Sequence, residues 1–234
     1  MEPAPLRSTR MLLLTSLREC TGNAVTAARL AELIPAARCS MLDINALPDA
    51  AALDKHVQES GVGLVLGIHA FRAGRLLVGS RVPFAIVLGG TDMNVMLEDE
   101  RKRPVMLDAL TQAGAVISFD NNLLSRLLEA LPGAKAKTFL VPQAVRTSLP
   151  APGGGSSSEG QEVRRRLGVG AEDVLLLLPA GLRPVKDVLF GVSEIAAWHA
   201  RSPQVCVRIV GPELDADYAE QVSPLPPWPP EQRK

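Results

Sequence analysis

Gly181-Leu-Arg-Pro-Val-Lys186 sets two cations three residues apart directly after the apolar run Val174 to Leu178. An unbroken apolar run reads as a parallel strand covered on both faces, so Arg183 and Lys186 fall where that strand ends. Asp187 reads as the cap of a helix running through Leu189, Ile195, Ala196 and Trp198, with Gly181 easing the turn out of the strand. A helix N-terminus turns unpaired amides and the positive end of its dipole outward. With two cations beside it, phosphate is the fitting guest. The same two residues read equally well as solvated loop cations.

Three other places carry side chains suited to a site. Thr21-Gly22-Asn23-Ala24 opens a helical stretch through Val25, Ala27, Ala28 and Ala31; Gly22 admits close approach to the backbone, Asn23 serves as cap, and the small residues let a ligand reach the helix end. Gly89-Gly90-Thr91-Asp92-Met93-Asn94 follows the apolar run Phe84 to Leu88, and Asp92 and Asn94 suit hydrogen bonds to hydroxyls. Asp92 reads alternatively as the cap of the next helix. His69 ends the run Leu64 to Ile68, where it either faces a cleft or serves the local structure.

The elements that must position these residues alternate along the chain. Strand-like runs at Leu12 to Thr15, Leu64 to Ile68, Phe84 to Leu88, Ala115 to Phe119 and Thr138 to Val141, with a weaker one near Ser40 to Ile44, are separated by helical patterns such as Ala24 to Ile34 and Val105 to Ala113. This β-α alternation predicts an α/β fold with a doubly wound parallel sheet, whose ligands sit beyond the C-terminal strand ends. Gly61-Val-Gly-Leu-Val-Leu-Gly67 lies before and within a strand with the spacing G-x-G-x-x-x-G, which disfavours a dinucleotide-dependent dehydrogenase.

Composition narrows the classes further. Of 234 residues 47% are hydrophobic, enough for a substantial core, and 25 basic residues balance 25 acidic ones, so nucleic acid is not expected as a partner. Cys20, Cys39 and Cys206 are odd in number and widely spaced, which argues for a reduced compartment and against structural zinc. Met11 to Leu14 after Arg7 and Arg10 is too short for a leader, no run approaches the ~20 residues of a membrane span, and no N-x-S/T acceptor occurs. The expected compartment is the cytoplasm, with secretion as the alternative.

Gly181-Leu-Arg-Pro-Val-Lys186 followed by Ile209-Val-Gly-Pro-Glu213 resembles the motif that opens the donor domain of glycosyltransferase family 4. Thr21-Gly-Asn-Ala-Val-Thr26, Gly74-Arg-Leu-Leu77 and Gly89-Gly-Thr-Asp-Met-Asn94 extend the resemblance over residues 10 to 215. It implies a GT-B-like architecture of two facing doubly wound domains and sugar transfer from a nucleotide sugar with retention of configuration, without metal or other cofactor. Arg183 and Lys186, with the loop of Gly22 and Asn23, would then hold the donor diphosphate. Gly90, Thr91, Asp92, Asn94 and His69 would line the side of an unidentified acceptor. Gly89 stands where many members have the histidine of His-Gly-x-Asp, and Pro142-Gln-Ala-Val145 replaces a Pro-Asn-Gly turn.

These readings place a complete first domain at 1–145, a linker rich in proline, glycine and serine at 146–160, the first part of a nucleotide-sugar domain at 161–222 and a proline-rich disordered tail at 223–234. The tail reads either as P-x-x-P chemistry for aromatic-grooved partners or as an alternative terminus without function. The family's E-x7-E segment and neighbouring glycine-rich loop, which hold sugar, ribose and base, have no counterpart here. The expectation is a truncated chain, weakly active or inactive by itself. A non-catalytic binding remnant is the alternative, and a plain α/β ligand-binding protein the third reading.

Overall fold

A computed structural model describes residues 9–19, 21–143 and 158–222. Cys20, the tail at 223–234 and most of the expected linker lie outside the described residues. The chain divides into two compact units, Met1–Arg146 and Thr147–Lys234.

In the first unit the elements run β1 (Arg10–Thr15), α1 (Gly22–Glu32), β2 (Cys39–Asp43), α2 (Ala50–Ser60), β3 (Val62–Ile68), α3 (Gly74–Leu77), β4 (Phe84–Val87), α4 (Gly90–Asn94), α5 (Arg103–Gln112), β5 (Ala115–Ser118), α6 (Asn121–Ala130) and β6 (Thr138–Leu140). All six strands are parallel, in the order β2-β1-β3-β4-β5-β6. The chain leaves β1 towards β2 on one side, then returns past β1 to build β3 to β6 on the other. This reversal opens a crevice between the C-terminal ends of β1 and β3.

Apolar periodicity explains the two layers. Leu12 and Leu14 face the larger core with Leu53, Val57, Leu76, Leu77, Met106, Leu110 and Leu127 from α2, α3, α5 and α6. On the opposite face Ala27 of α1 meets Ile68 and Val87, with Leu30 and Phe119 beside them. The helices start where short polar side chains stop the strand conformation: Asp49 accepts from the Ala52 amide at 2.9 Å and Asp120 from the Leu123 amide at 2.8 Å.

The second unit comprises α7 (Ser158–Arg166), β7 (Val174–Pro179), α8 (Val192–Arg201), β8 (Val205–Val210) and α9 (Ala216–Val222). β7 and β8 form a two-stranded parallel sheet. Two expectations are corrected here. The run Val174 to Leu178 is not covered on both faces: Val174, Leu177 and Leu178 are exposed, because among the described residues β7 has one strand neighbour and little helix against it. Nor does Asp187 cap a helix. Arg183 is extended, as a residue before proline must be, Pro184–Lys186 forms one 3₁₀ turn, and Asp187 closes it in the left-handed region at φ 40°; α8 begins only at Val192.

Tyr218 is buried in α9. Asp215 caps that helix by accepting from the Tyr218 amide at 2.9 Å, and the Tyr218 hydroxyl accepts from the Val188 amide at 2.9 Å. This bond draws Val188 inward and gives the reason for the displaced start of α8: the loop must reach α9 first.

Candidate functional site

Of the residues singled out in the first unit, the structure concentrates His69, Asp92, Gly89 and Gly90 at the C-terminal ends of β3 and β4. Asp92 is the third residue of α4 and is 0% exposed. Its carboxylate accepts from the backbone amides of Gly89 at 2.8 Å, Met93 at 3.0 Å and Ala70. The Gly89 bond is half of a capping box, its reciprocal half missing because glycine has no side chain. Asp92 therefore lies beneath the expected wall, joining the β3 and β4 loops, rather than presenting oxygens to a ligand. The side chains that do reach the surface here are Asn94, exposed, and Thr91, half-buried, beside exposed Gly90.

His69 is 3% exposed and holds a left-handed backbone, φ 87°, rare for a residue with a side chain and costing on the order of 1–3 kcal/mol. The conformation is fixed on both sides. The His69 amide donates to the Val87 carbonyl at 2.9 Å, while Nδ1 accepts from the amides of Phe71 and Arg72, each at 3.3 Å. A neutral ring accepting at Nδ1 carries its proton on Nε2, and Nε2 is buried with no hydrogen-bond partner.

Nδ1 lies 3.7 Å from Asp92 Oδ2, within ion-pair distance, yet burial disfavours the charged form of each group. Burial, then the Arg72 charge, pushes His69 down to about 4. Burial pushes Asp92 up to about 6, against the pull of its backbone amides. When the imidazole becomes cationic the carboxyl is already neutral, and at neutral pH a neutral ring faces an ionised carboxylate.

The β1 loop is placed differently from its reading. The cap of α1 is Thr21, whose hydroxyl accepts from the Ala24 amide at 3.4 Å, and Asn23 is the second residue inside the helix. Gly22 is exposed, and a Cβ there would meet nothing within 4 Å, so the open approach expected at this loop is present. Behind it Thr26 accepts from Gln143 Nε2 at 2.9 Å, which ties the segment after β6 to α1. A groove of about 340 Å³ elsewhere on this unit, lined by Leu97, Glu98, Arg103, Arg126, Glu129 and Ala130, has its central charge spent internally. Arg126 donates to Glu98 at 2.6 Å and to the Met93 carbonyl at 2.8 Å, so the groove adds no chemistry to the strand-end site.

In the second unit Arg183 and Lys186 stand on the turn after β7 and not at a helix N-terminus, which removes the dipole from the argument for an anion there. Lys186 is exposed; Arg183 is half-buried, with Nε lacking a partner. The turn is held by the loop after β8: the amides of Ala180 and Leu182 donate to the carbonyls of Val210 and Pro212, each at 2.9 Å, and the Leu214 amide donates back to Leu182 at 3.1 Å. Gly211 is required at this crossing, since a Cβ would sit 2.0 Å from the Ala180 carbonyl oxygen. Sequence reasoning noted Gly211 only as part of a motif; nothing local signals the crossing. Among the described residues no group of three or more His, Cys, Asp or Glu is arranged to hold a metal ion, and no helix is long and apolar enough to cross a membrane.

The architecture is the α/β fold of GT-B glycosyltransferase structures. HepE of Anabaena, solved with UDP and glucose, superposes with a TM-score of 0.68 at 17% identity, covering 92% of this chain and 65% of that one. MnaA of S. aureus with UDP gives 0.54 at 10% identity over 91% of this chain and 64% of that one. UDP-GlcNAc 2-epimerase of Neisseria meningitidis bound to UDP-GlcNAc gives 0.53 at 10% identity, over 92% and 68%. In sequence the chain is similar to glycosyltransferase 1 domain-containing protein 1 of Xenopus tropicalis, 31% identical over a match of 218 residues, with 91% of this chain and 61% of that protein covered. The resemblance read from the Gly181 to Lys186 segment thus extends across nearly the whole chain, which spans about three fifths of that relative's length. No protein-family model matches.

Proposed function

We propose that the chain is part of a retaining glycosyltransferase that uses a nucleotide sugar, with the diphosphate held at Arg183 and Lys186 and an acceptor bound by the strand ends of the first unit. The observation that carries the reading is the turn after β7, where Arg183 keeps a partner-free guanidinium nitrogen beside exposed Lys186 on a loop pinned by Gly211. Transfer needs positive charge where the leaving diphosphate gathers negative charge, and fixed cations supply it without reorganisation. Structural neighbours with UDP-sugars support the nucleotide but not the reaction, since epimerases are among them; the relative of 31% identity supports transfer.

The donor-side chemistry is assigned to protein cations alone, with no metal or cofactor. Cations on a turn of this kind gain about 1 kcal/mol each from a bound diphosphate, so binding through Arg183 and Lys186 alone is expected to be weak. The reading as a non-catalytic binding remnant draws on one observation, the exposed face of β7. Titrating UDP and UDP-glucose against the purified chain, alone and extended by a complete second domain, tests the proposal. Binding weakened about fivefold in Arg183→Ala, with transfer in the extended form, is expected. Unchanged binding in that variant would remove Arg183 from the site.

A further inference from the structure

We propose that His69 is the residue that orients the acceptor, donating its Nε2–H to a neutral alcohol oxygen of the bound molecule and never acting as a base. The inference rests on the reading of the first unit as the acceptor side. Four observations converge on it. His69 closes β3, one of the two strands that flank the topological switch point, where open parallel sheets bind ligands. Its backbone is held at φ 87°, a conformation retained only where surrounding bonds impose it. Its Nδ1 is engaged by the Phe71 and Arg72 amides, which fixes the tautomer. Its Nε2–H is then a buried donor without a partner, in a residue 97% removed from solvent by the fold.

The chemistry of the missing partner follows from the surroundings. Nε2 already holds its proton and the Nδ1 lone pair is occupied, so the ring has no place to receive a proton from an attacking hydroxyl. The partner must offer a lone pair. Asp92 lies 3.7 Å from the ring and is ionised at neutral pH, which disfavours a carboxylate or phosphate next to it and favours an uncharged hydroxyl.

Uniform ¹⁵N-histidine labelling of the chain gives a direct test, since it has three histidines and His69→Asn identifies the signal. Asparagine tolerates the left-handed backbone and keeps a side-chain oxygen near the Nδ1 position while removing the Nε2 donor. The expected result is an Nε2–H resonance at neutral pH that shifts on titration with glucose or with N-acetylserinamide, the two sources of an alcohol, and does not shift with inorganic phosphate. His69→Asn should bind the responding alcohol about fivefold more weakly with unchanged near-UV circular dichroism. A resonance that neither alcohol moves, one that phosphate alone moves, or an Nδ1–H tautomer would overturn the proposal. The wild-type titration stands even where the variant fails to fold. UDP binding, followed in the same samples, reports on Arg183 separately: loss of UDP binding with an intact glucose shift would sink the donor assignment and leave His69 standing.

Discussion

Two strands of nearly the same composition, Met11-Leu-Leu-Leu14 and Val174-Leu-Leu-Leu-Leu178, have opposite fates. In β1, between β2 and β3 with helices on both faces, Leu12, Leu13 and Leu14 are completely buried. In β7, whose one strand partner among the described residues is β8, Leu177 is 56% exposed. An apolar run thus declares a capacity to be covered, and its neighbours decide whether the capacity is used. The energetic content differs in proportion, since stabilisation follows the area removed from water.

The sharpest way to break this comparison is matched truncation. Leu13→Ala should cost about 3 kcal/mol in denaturant unfolding, while Leu177→Ala should cost under ~0.5 kcal/mol. Similar losses at both positions would mean that β7 is covered in solution.

In the second unit the strand pair β7–β8 continues into a loop crossing that Gly211 permits. Gly211→Ala should therefore destabilise it by about 3 kcal/mol, the upper end for overpacking, because the added carbon meets backbone that cannot swing away. Hydrogen exchange should show faster amides over residues 174–215 and no change in β1 to β6. Protection retained around Leu182 and Leu214 would contradict this.

The buried pair in the first unit sharpens the contrast through pH. Asp92 is raised from 3.8 to about 6, so its contribution is present below 3.8 and is lost as pH rises through about 6. His69 is lowered from 6.5 to about 4, so its contribution is present above 6.5 and is lost as pH falls through about 4. Between about 4 and 6 the two oppose each other, and the wild type should be nearly flat. Asp92→Asn should unmask a loss of stability on acidification from 6.5 to 4, and His69→Asn a loss on raising pH from 4 to 6, each on the order of 2 kcal/mol. Thermal melts across that range measure it; a steep wild-type profile would show that the two groups do not compensate.

The smallest effect belongs to the two cations of the turn after β7. Arg183→Ala should weaken UDP binding about fivefold and Lys186→Ala less, both fading with added salt. Equal effects would indicate that Lys186 is as well placed as its half-buried neighbour.

Much of the fold was legible because β-α alternation is a local property. Each strand run read in the first unit lies within one or two residues of an observed strand, including the weak one at Cys39–Asp43. α9 was missed since seven residues before a proline-rich run carry too short a pattern, and α8 was started too early since Asp187 looks like a cap to any local rule. Within the candidate site, the identities of His69, Asp92, Gly90 and Arg183 could be read, but not their states. Asp92 suits either a ligand contact or a cap, and only the approach of the Ala70 amide from the adjacent strand end removes its oxygens from a ligand's reach.

By itself, then, the sequence determined the succession of elements, the parallel sheet and the strand ends at which polar residues collect, because apolar spacing and turn residues act over a few positions. Tertiary structure alone decided which apolar runs are covered, that His69 is strained and left with a buried donor, that Asp92 bridges two loops, and that Gly211 admits a crossing chain. Each of these depends on groups brought together from distant positions, where solvent exclusion and close approach, rather than local preference, set the energy.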